Sequence, residues 1–198
     1  MARTIAKDHD EKRAAILKTA ARVFAEEGYA RASMAQVARA CGISKANIYH
    51  YYPSKDALLF DILDNYLRAL RNRLRDQRLE ALPPAEQLRV VLCETLLAYK
   101  GMDHEHKIQT EGIVLLDAAQ QEVLKGYQRD MVSQMSGILA ALAPEVFAAD
   151  AAKLRAATMS VFGMLNWFYM WNSNADAQAR ADYAELVARL TLGGVERL

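Results

Sequence analysis

The sequence is poor in the residues that interrupt helices or cross-link chains. It has four prolines and nine glycines in 198 residues, and its two cysteines, Cys41 and Cys93, form no Cys-x-x-Cys pair. So few prolines and glycines leave long stretches in which nothing breaks a helix. Two distant cysteines argue against a disulfide framework or a zinc site and favour a reducing compartment. The composition therefore predicts an all-α protein.

Long apolar runs and catalytic motifs are also missing. The longest apolar stretch, residues 161–171, is interrupted by Asn166 and is too short to span a bilayer. The first residues lack the apolar run of a signal peptide. The sequence shows no glycine-rich phosphate loop and no nucleophile motif, and His104 and His106 are interpreted as surface residues. We therefore expect a cytoplasmic, non-enzymatic protein with no metal, no cofactor and no membrane contact.

The net charge is only +1, but the charges are distributed unevenly along the chain. Residues 1–55 contain ten Lys and Arg against five Asp and Glu, whereas residues 56–198 contain fifteen against nineteen. A basic segment followed by a mildly acidic body is typical of a protein that binds a polyanion with one end. A chance fluctuation of surface charge is the alternative at this point.

Apolar residues recur at helical spacing along the whole chain, and no segment shows the alternation of a strand. With breaks at glycine, proline and asparagine, this spacing predicts about nine helices. They lie near residues 10–27, 33–41, 45–51, 54–78, 84–100, 104–116, 118–142, 150–174 and 178–196. We expect the first three to form an N-terminal domain, residues 1–53, and the others to form a helical bundle, residues 54–198.

The second and third predicted helices have the pattern of a helix-turn-helix. Ser33, with Gln36 three residues later, matches a capping box, Ser44 is predicted as the N-cap of the next helix, and Ser54 as the N-cap of the long fourth helix. In this motif the second of the two helices enters the major groove of DNA. We expect Ile48 and Tyr52 to face inward. The outward residues of this recognition helix are then Lys45, Ala46, Asn47, Tyr49 and His50.

The stretch from Asp10 to Leu59 resembles the DNA-binding domain of the TetR family of bacterial transcriptional regulators. The family pattern is seen here as ILKTAARVFAEEGYARASMAQVARACGISKANIYHYYPSKDALL, within about fifty residues that match without a gap. One departure is Tyr52, where the family usually has phenylalanine. The ring is retained and only a hydroxyl is added.

The resemblance implies which residues contact DNA. Phosphate contacts are implied for Ser33, Lys45, Tyr49, His50, Tyr51 and Lys55. Base-edge contacts are implied for Gln36, Ala46, Asn47 and Tyr49. These residue types suit the roles, because hydroxyls and cations bind phosphate oxygens, amides pair with base edges, and alanine allows close approach to a thymine methyl. The alternative is a helical hairpin with solvated polar tips, in which the tyrosines only cover the core.

The resemblance also implies that the C-terminal bundle forms a homodimer. The helix near residues 150–174 is apolar around most of its circumference, so it needs neighbours on two sides. The helix near residues 178–196 adds a second apolar stripe. We expect both helices to meet a second copy of the chain, although burial within one chain is the alternative. A two-fold dimer would place two recognition helices on a palindromic operator in double-stranded DNA.

A small-molecule effector is the second partner that the resemblance implies. Methionines and aromatics suit an adaptable pocket, and they suit ordinary core equally well. The candidate ligand-binding residues are Phe60, Tyr127, Met131, Met135, Met164 and Trp167. The run FGMLNWFYMWN, residues 162–172, resembles a subgroup of the family that responds to acyl-CoA, thioesters of fatty or aromatic acids such as phenylacetyl-CoA. The cations that could meet the phosphates of such an effector are Arg68, Arg71, Lys107 and Arg129.

Together these features predict a ligand-responsive repressor that a hydrophobic effector releases from its operator. Effector binding would tilt the fourth helix and change the separation of the two recognition helices. A non-specific architectural DNA-binding protein without a ligand is the alternative, with the aromatic helices as core. A small helical enzyme is a further alternative, and the lack of any acid, base, metal or phosphate site argues against it.

Overall fold

The computed structural model describes residues 2–172, 174–195 and 197–198, with side chains described from residue 9 onward. Within these residues the protein has ten α-helices, one 3-10 helix and no strand, so the predicted all-α fold is confirmed. The helices are α1 Ala2–Glu27, α2 Met34–Ala40, α3 Lys45–Tyr51, α4 Lys55–Arg75, α5 Pro84–Ala98, α6 Asp103–Gly112, α7 Ala118–Leu142, α8 Pro144–Phe147, α9 Ala151–Trp171 and α10 Ala177–Val195, and the 3-10 helix Ile113–Leu115 follows α6. None of the helices described is both long and apolar enough to cross a bilayer.

Two helix boundaries differ from the predicted ones. α1 begins at Ala2 rather than near residue 10, because neither glycine nor proline interrupts residues 2–27. Pro144 was predicted only as a break, but it also opens the short helix α8. Proline is tolerated in the first turn of a helix, where its missing N–H would have no partner. This turn accounts for the count of ten helices instead of about nine.

The chain forms two compact units, of which the first comprises residues 1–66 and 104–124. Within it α1 packs on α2, and α2 packs on α3. The core is filled by buried apolar side chains, among them Ile16, Phe24, Val37, Ile48, Leu59 and Leu63. The division of the chain at residue 53 into a DNA-binding and an effector-binding part stays a prediction.

The end of α6 lies close against α4 in this first unit, and a glycine makes the approach possible. A Cβ atom at Gly112 would lie 3.4 Å from the Cδ1 atoms of both Leu59 and Leu63. That distance is the lower limit of ordinary van der Waals contact, so a side chain larger than alanine would displace one of the helices.

The second unit comprises residues 67–103 and 125–198. Its helices α5, α9 and α10 pack on one another, and α8 packs on α9. The core is again apolar, with buried side chains that include Leu88, Leu92, Leu96, Leu139, Leu165 and Val187.

One arginine is buried in the second unit and joins several of its helices. Arg180 is 1% exposed. Its Nε donates to the carbonyl of Ala175 at 3.2 Å, its Nη1 donates to the carbonyl of Leu96 at 3.3 Å, and its Nη2 lies 3.5 Å from the carboxylate of Asp103. The guanidinium also lies over the ring of Phe168, 5.6 Å from its centroid. Because a buried charge is tolerated only when it is paired, this set of partners fixes the ends of α5, α6 and α10 around one side chain.

Replacing Arg180 by methionine should lower the free energy of unfolding by roughly 3 kcal/mol or more, because Asp103 and two buried carbonyls lose their partner. Urea unfolding at equal protein concentration measures this loss. Arg189→Met is the matched control, since Arg189 is exposed on the same helix and pairs with Glu185, and it should change stability by less than about 1 kcal/mol. Equal losses in the two variants would contradict the assigned role.

Candidate functional site

Serine caps begin three consecutive helices in the basic part of the chain, as predicted. The Gln36 N–H donates to Ser33 Oγ at 3.3 Å, while Gln36 Oε1 accepts from the Ser33 N–H at 2.8 Å, which completes the capping box of α2. Ser44 Oγ accepts from the N–H of Asn47 at 3.1 Å and begins α3. Ser54 Oγ does the same for α4. These local bonds set where α2, α3 and α4 start.

The inward and outward faces of α3 agree with the prediction. Ile48 is fully buried and Tyr52 is 5% exposed. The exposed side chains are those of Lys45, Ala46, Asn47, Tyr49 and His50. Two cation-capable side chains, a phenol and an amide therefore project from one helix surface together with a small residue. This surface can bind phosphate oxygens and base edges without disturbing the core.

Tyr51 differs from these residues because neighbouring rings partly enclose it. Its ring stacks on that of His9 with centroids 5.0 Å apart, and the ring of His50 meets its edge at 5.9 Å. His9 comes from the early part of α1 that the sequence did not predict as helical. Tyr51 is consequently half-buried and held in place, and its predicted phosphate contact stays a prediction.

Two other predicted DNA contacts have their polar atoms engaged within the protein. Gln36 uses its side-chain oxygen in the capping box, where it accepts from both the N–H and the hydroxyl of Ser33. The ammonium of Lys55 donates to the carbonyls of Tyr29 at 2.8 Å and Ala32 at 3.0 Å, and it lies 4.3 Å from the Tyr29 ring centroid. A phosphate contact by Lys55 would compete with these bonds, which tie the start of α4 to the α1–α2 loop.

The loop between α1 and α2 is joined to α4 by a further hydrogen bond, which the sequence did not predict. The hydroxyl of Tyr29 donates to the carboxylate of Asp56. Burial and this carboxylate raise the pKa of Tyr29. The ring of Tyr29 also meets the edge of the Phe24 ring, with centroids 5.2 Å apart.

The carboxylate of Asp61 on α4 forms a second cluster with α1 and with the end of α3. It accepts two bonds from the guanidinium of Arg13, at 2.5 and 2.6 Å, and one from the hydroxyl of Tyr52 at 2.5 Å. The side-chain amide of Asn65 donates to it at 2.9 Å. Burial and the neighbouring carboxylate raise the pKa of Tyr52, so its hydroxyl stays a donor. The sequence predicted only that the Tyr52 ring faces the core and gave no sign that its hydroxyl bonds to Asp61.

The candidate effector residues do not share one environment. Met131 and Met135 are buried, while Phe60 and Tyr127 are half-buried. Met164 lines an apolar groove of about 330 Å³ beside α9 and α10, and Trp167 is 62% exposed. The two methionines thus lie in the core, and Trp167 lies on an outer face of its unit. Their predicted role in effector binding stays a prediction.

Among the predicted cations, Arg71 is distinguished by its surroundings. Arg68, Lys107 and Arg129 are exposed, whereas the side chain of Arg71 is only 17% exposed. Its guanidinium carbon lies 4.9 Å from the Tyr127 ring centroid, and its Nη1 donates to Asp130 at 3.3 Å. Its Nε is buried and has no hydrogen-bond partner in the protein. A half-buried cation with an unsatisfied donor can bind an anionic group.

A second exposed feature is an apolar face on α9 and α10. Large apolar side chains on it are half or more exposed, namely Trp167, Met170, Trp171, Leu186 and Leu190. On each helix they recur at intervals of three or four residues, which places them along one side. The sequence predicted an apolar surface here, and several large exposed apolar side chains on neighbouring helices are typical of an interaction site.

His106 is buried, so its interpretation as a surface residue was wrong. It is 4% exposed, and its Nδ1 lies 2.9 Å from the hydroxyl of Tyr66 and 3.3 Å from Nε2 of Gln109. The helix DHEHKIQTEG has too few apolar residues to show which side faces the core. Among the described residues no group of three or more His, Cys, Asp or Glu side chains is arranged to hold a metal ion.

Comparisons with known proteins relate both parts of the chain to bacterial regulators. A sequence profile described as bacterial regulatory proteins of the TetR family matches residues 16–62. A profile described as the tetracyclin repressor-like C-terminal domain matches residues 81–195. YerO of Bacillus subtilis, an uncharacterized HTH-type transcriptional regulator, is 35% identical over 82 residues, which are 40% of this chain. The match spans 28% of the length of YerO.

Solved structures extend the likeness to nearly the whole chain. The crystal structure of a TetR-family transcriptional regulator from Bordetella parapertussis is 30% identical, with a TM-score of 0.85 over 94% of this chain and 96% of that one. The crystal structure of AibR in complex with isovaleryl coenzyme A and operator DNA is 22% identical, with a TM-score of 0.75 over 90% of this chain and 97% of AibR. At the latter identity the likeness concerns the fold.

Two substitutions on the exposed surface of α3 should have different effects on DNA binding. If Lys45 makes the phosphate contact predicted for it, Lys45→Ala should weaken binding to every duplex sequence and reduce the salt dependence by about one charge per copy of α3. Asn47→Ala should instead change the preferred sequence. Binding to a panel of duplexes at several salt concentrations measures both effects.

Lys55→Ala is a useful third variant in that experiment. Because its ammonium bonds to loop carbonyls, this change should lower the melting temperature, which Lys45→Ala should leave unchanged. If Lys45→Ala left DNA affinity unaltered at all salt concentrations, α3 would not be the docking surface.

Proposed function

Because this chain belongs to the TetR family of bacterial regulatory proteins, we propose that it is a homodimeric transcriptional repressor that a small anionic, hydrophobic effector releases from a palindromic operator. The observation that carries the proposal is the outward surface of α3, where Lys45, Ala46, Asn47, Tyr49 and His50 are exposed while Ile48 is buried. The proposal places the protein in the cytoplasm, where such an operator lies.

The cap and the exposed surface of α3 support a role for this helix in reading the major groove. Because the Ser44 cap holds its first residues, the exposed side chains nearest the N-terminus, Lys45 to Asn47, would lead into the groove. Tyr49, His50 and the N-terminus of α2 at Ser33 would meet phosphates on either side. Phosphate contacts fix register, and Ala46 and Asn47 would supply the sequence preference.

The homodimer is supported by the apolar face of α9 and α10. Trp167, Met170 and Leu190 are all more than half exposed in the single chain, and water contact by so many large apolar groups is unfavourable. A second copy of the same face is self-complementary in a two-fold dimer and would cover it. Two copies of α3 related by that axis would then read a palindrome.

An effector with an acyl chain and anionic groups is supported by the second unit. Buried methionines, Met131 and Met135, provide apolar and adaptable surroundings, and Arg71 offers a buried donor without a partner. The AibR structure was determined with isovaleryl coenzyme A and operator DNA. We extend that chemistry to this protein as a proposal, with an acyl-CoA thioester such as phenylacetyl-CoA as the effector class.

Release from DNA would follow from movement of α4. Its first turns are bonded to the α1–α2 loop through Lys55 and to the end of the helix-turn-helix through Asp61, and it continues to Arg71 and Arg75. An effector that favours one position of α4 over another would shift the recognition helices of the dimer out of register with the two half-sites. Such differential affinity is the only means by which a ligand shifts this equilibrium.

The alternative is an architectural DNA-binding protein that has no ligand and no sequence preference. The two are separated by the ratio of affinities for a selected palindrome and for random duplex at the same salt concentration. A sequence-specific regulator should show a ratio of at least about a thousandfold. A ratio near one would favour the architectural protein.

The operator and the effector should weaken each other's binding by the same factor. Operator affinity is measured with and without phenylacetyl-CoA or isovaleryl-CoA, and thioester affinity is measured with and without the operator. The free acids serve as the comparison that lacks phosphates. Unchanged thioester affinity in the presence of the operator would contradict the allosteric part of the proposal.

Arg71→Met should weaken thioester binding by roughly tenfold or more, because a charge-assisted contact is lost, and should leave operator affinity nearly unchanged. Arg73→Met is the matched control, since Arg73 lies on the same helix but pairs with Glu94 at 2.6 Å. If both variants bound the thioesters as the unaltered protein does, Arg71 would not be the anion-binding residue.

Leu190→Glu should convert the dimer to a monomer, because it places a charge at the centre of the apolar face. Leu115→Glu is the matched control, because Leu115 is exposed to a similar extent on a different unit. Light scattering after size-exclusion chromatography reports the mass of each variant. A Leu190→Glu protein that remained dimeric would place the interface elsewhere.

A further inference from the structure

We propose that Asp61 is the positioning residue that fixes the direction of the recognition helix, through its bond with the Tyr52 hydroxyl, and thereby sets the spacing of half-sites that the dimer accepts. The inference rests on the proposed function, since it concerns how two recognition helices meet one operator. It concerns positioning alone, because neither side chain belongs to the exposed surface of α3.

The bonds at Asp61 connect three helices at one carboxylate. Its Oδ2 accepts from the Tyr52 hydroxyl at 2.5 Å and from Arg13 Nη2 at 2.6 Å, and its Oδ1 accepts from the same nitrogen at 2.5 Å. Asn65, one turn further along α4, donates to Oδ1. The side chain of Asp61 is 15% exposed, so these charge-assisted bonds are partly shielded from water. α1, α3 and α4 are therefore bonded to the same group.

Tyr52 is the right residue for this purpose because it ends α3. Its N–H closes the last turn by donating to the carbonyl of Ile48 at 2.9 Å, so its backbone moves with the helix. Its hydroxyl is fixed to the second turn of α4. The other inward anchor of α3, Ile48, makes only apolar contacts, which hold the helix without a preferred direction. The hydroxyl bond supplies that direction.

A fixed orientation of the recognition helix matters because two half-sites on DNA can be separated only by a whole number of base pairs. One inserted base pair moves a half-site by about 3.4 Å and rotates it by roughly a tenth of a turn. A dimer with rigidly held recognition helices binds such an operator poorly. A dimer whose helices can pivot binds it better, since it can follow the displaced half-site at little cost.

The test uses three full-length variants and a palindrome selected from a random duplex library, with a second duplex in which one base pair is inserted at its centre. The measured quantity is the ratio of the two dissociation constants, without any effector. Tyr52→Phe keeps the ring and removes only the hydroxyl, and Asp61→Asn keeps the shape and removes the charge. Tyr66→Phe is the matched control, because it removes another buried hydroxyl of α4, which bonds to His106 instead of reaching α3.

We expect the spacing ratio to fall about three- to tenfold in Tyr52→Phe and in Asp61→Asn, the size of effect that one net hydrogen bond typically has. Tyr66→Phe should keep the ratio of the unaltered protein, even if its melting temperature falls as much as that of Tyr52→Phe. An unchanged ratio in Tyr52→Phe overturns the inference, whatever the loss of stability. An equal fall in Tyr66→Phe also overturns it, because the effect would then follow stability.

Failure of the inference and failure of the proposed function give different results. If the unaltered protein selects no palindrome, the proposed function fails before any variant is compared. If it selects a palindrome but binds both duplexes equally, the spacing of half-sites is not fixed, and the inference about Asp61 is refuted while the proposed function stands. If it discriminates between the duplexes and Tyr52→Phe discriminates equally well, only the role of Asp61 is refuted.

Discussion

The rest of the structure depends on the attachment of the first turns of α4 to the three helices before it. The apolar side chains of Ile48 and Leu59 are buried and stabilise this packing, but non-directional contacts do not fix the orientation of the helices. Hydrogen bonds depend on angle and fix that orientation. Lys55 bonds to the α1–α2 loop, and Asp61 bonds to α1 and to the end of α3. Within this unit the first turns of α4 are therefore bonded to the end of α3, and the proposed response to an effector would act through these bonds.

The features that the sequence predicted depend on interactions between residues only a few positions apart in the chain. Ser33, Ser44 and Ser54 begin helices because a serine oxygen accepts from an N–H three residues later. The burial of Ile48 and the exposure of Asn47 follow from helical spacing alone. The all-α fold and the separation of buried from exposed residues on α3 therefore follow from the sequence alone, and the DNA contacts of that surface stay a prediction.

The features that the sequence did not predict depend on residues far apart in the chain. Lysine is a residue type suited to a phosphate contact, but the ammonium of Lys55 bonds to loop carbonyls more than twenty residues earlier in the chain. His106 lies in a helix with no apolar stripe, so nothing local indicated its burial. For Trp167, helical spacing marks an apolar position but does not indicate whether the core, an effector or a second copy of the chain covers it.

The separation of faces on α3 has an evolutionary consequence. Because Lys45, Asn47 and Tyr49 project away from the core, their replacement costs the fold little, and selection can change them freely. Tyr52 and Asp61, to which we attribute the orientation of α3, lie off this surface and are bonded to each other. After gene duplication, a few substitutions on α3 could therefore alter the proposed DNA-reading surface of a copy while the stability of the fold is inherited unchanged.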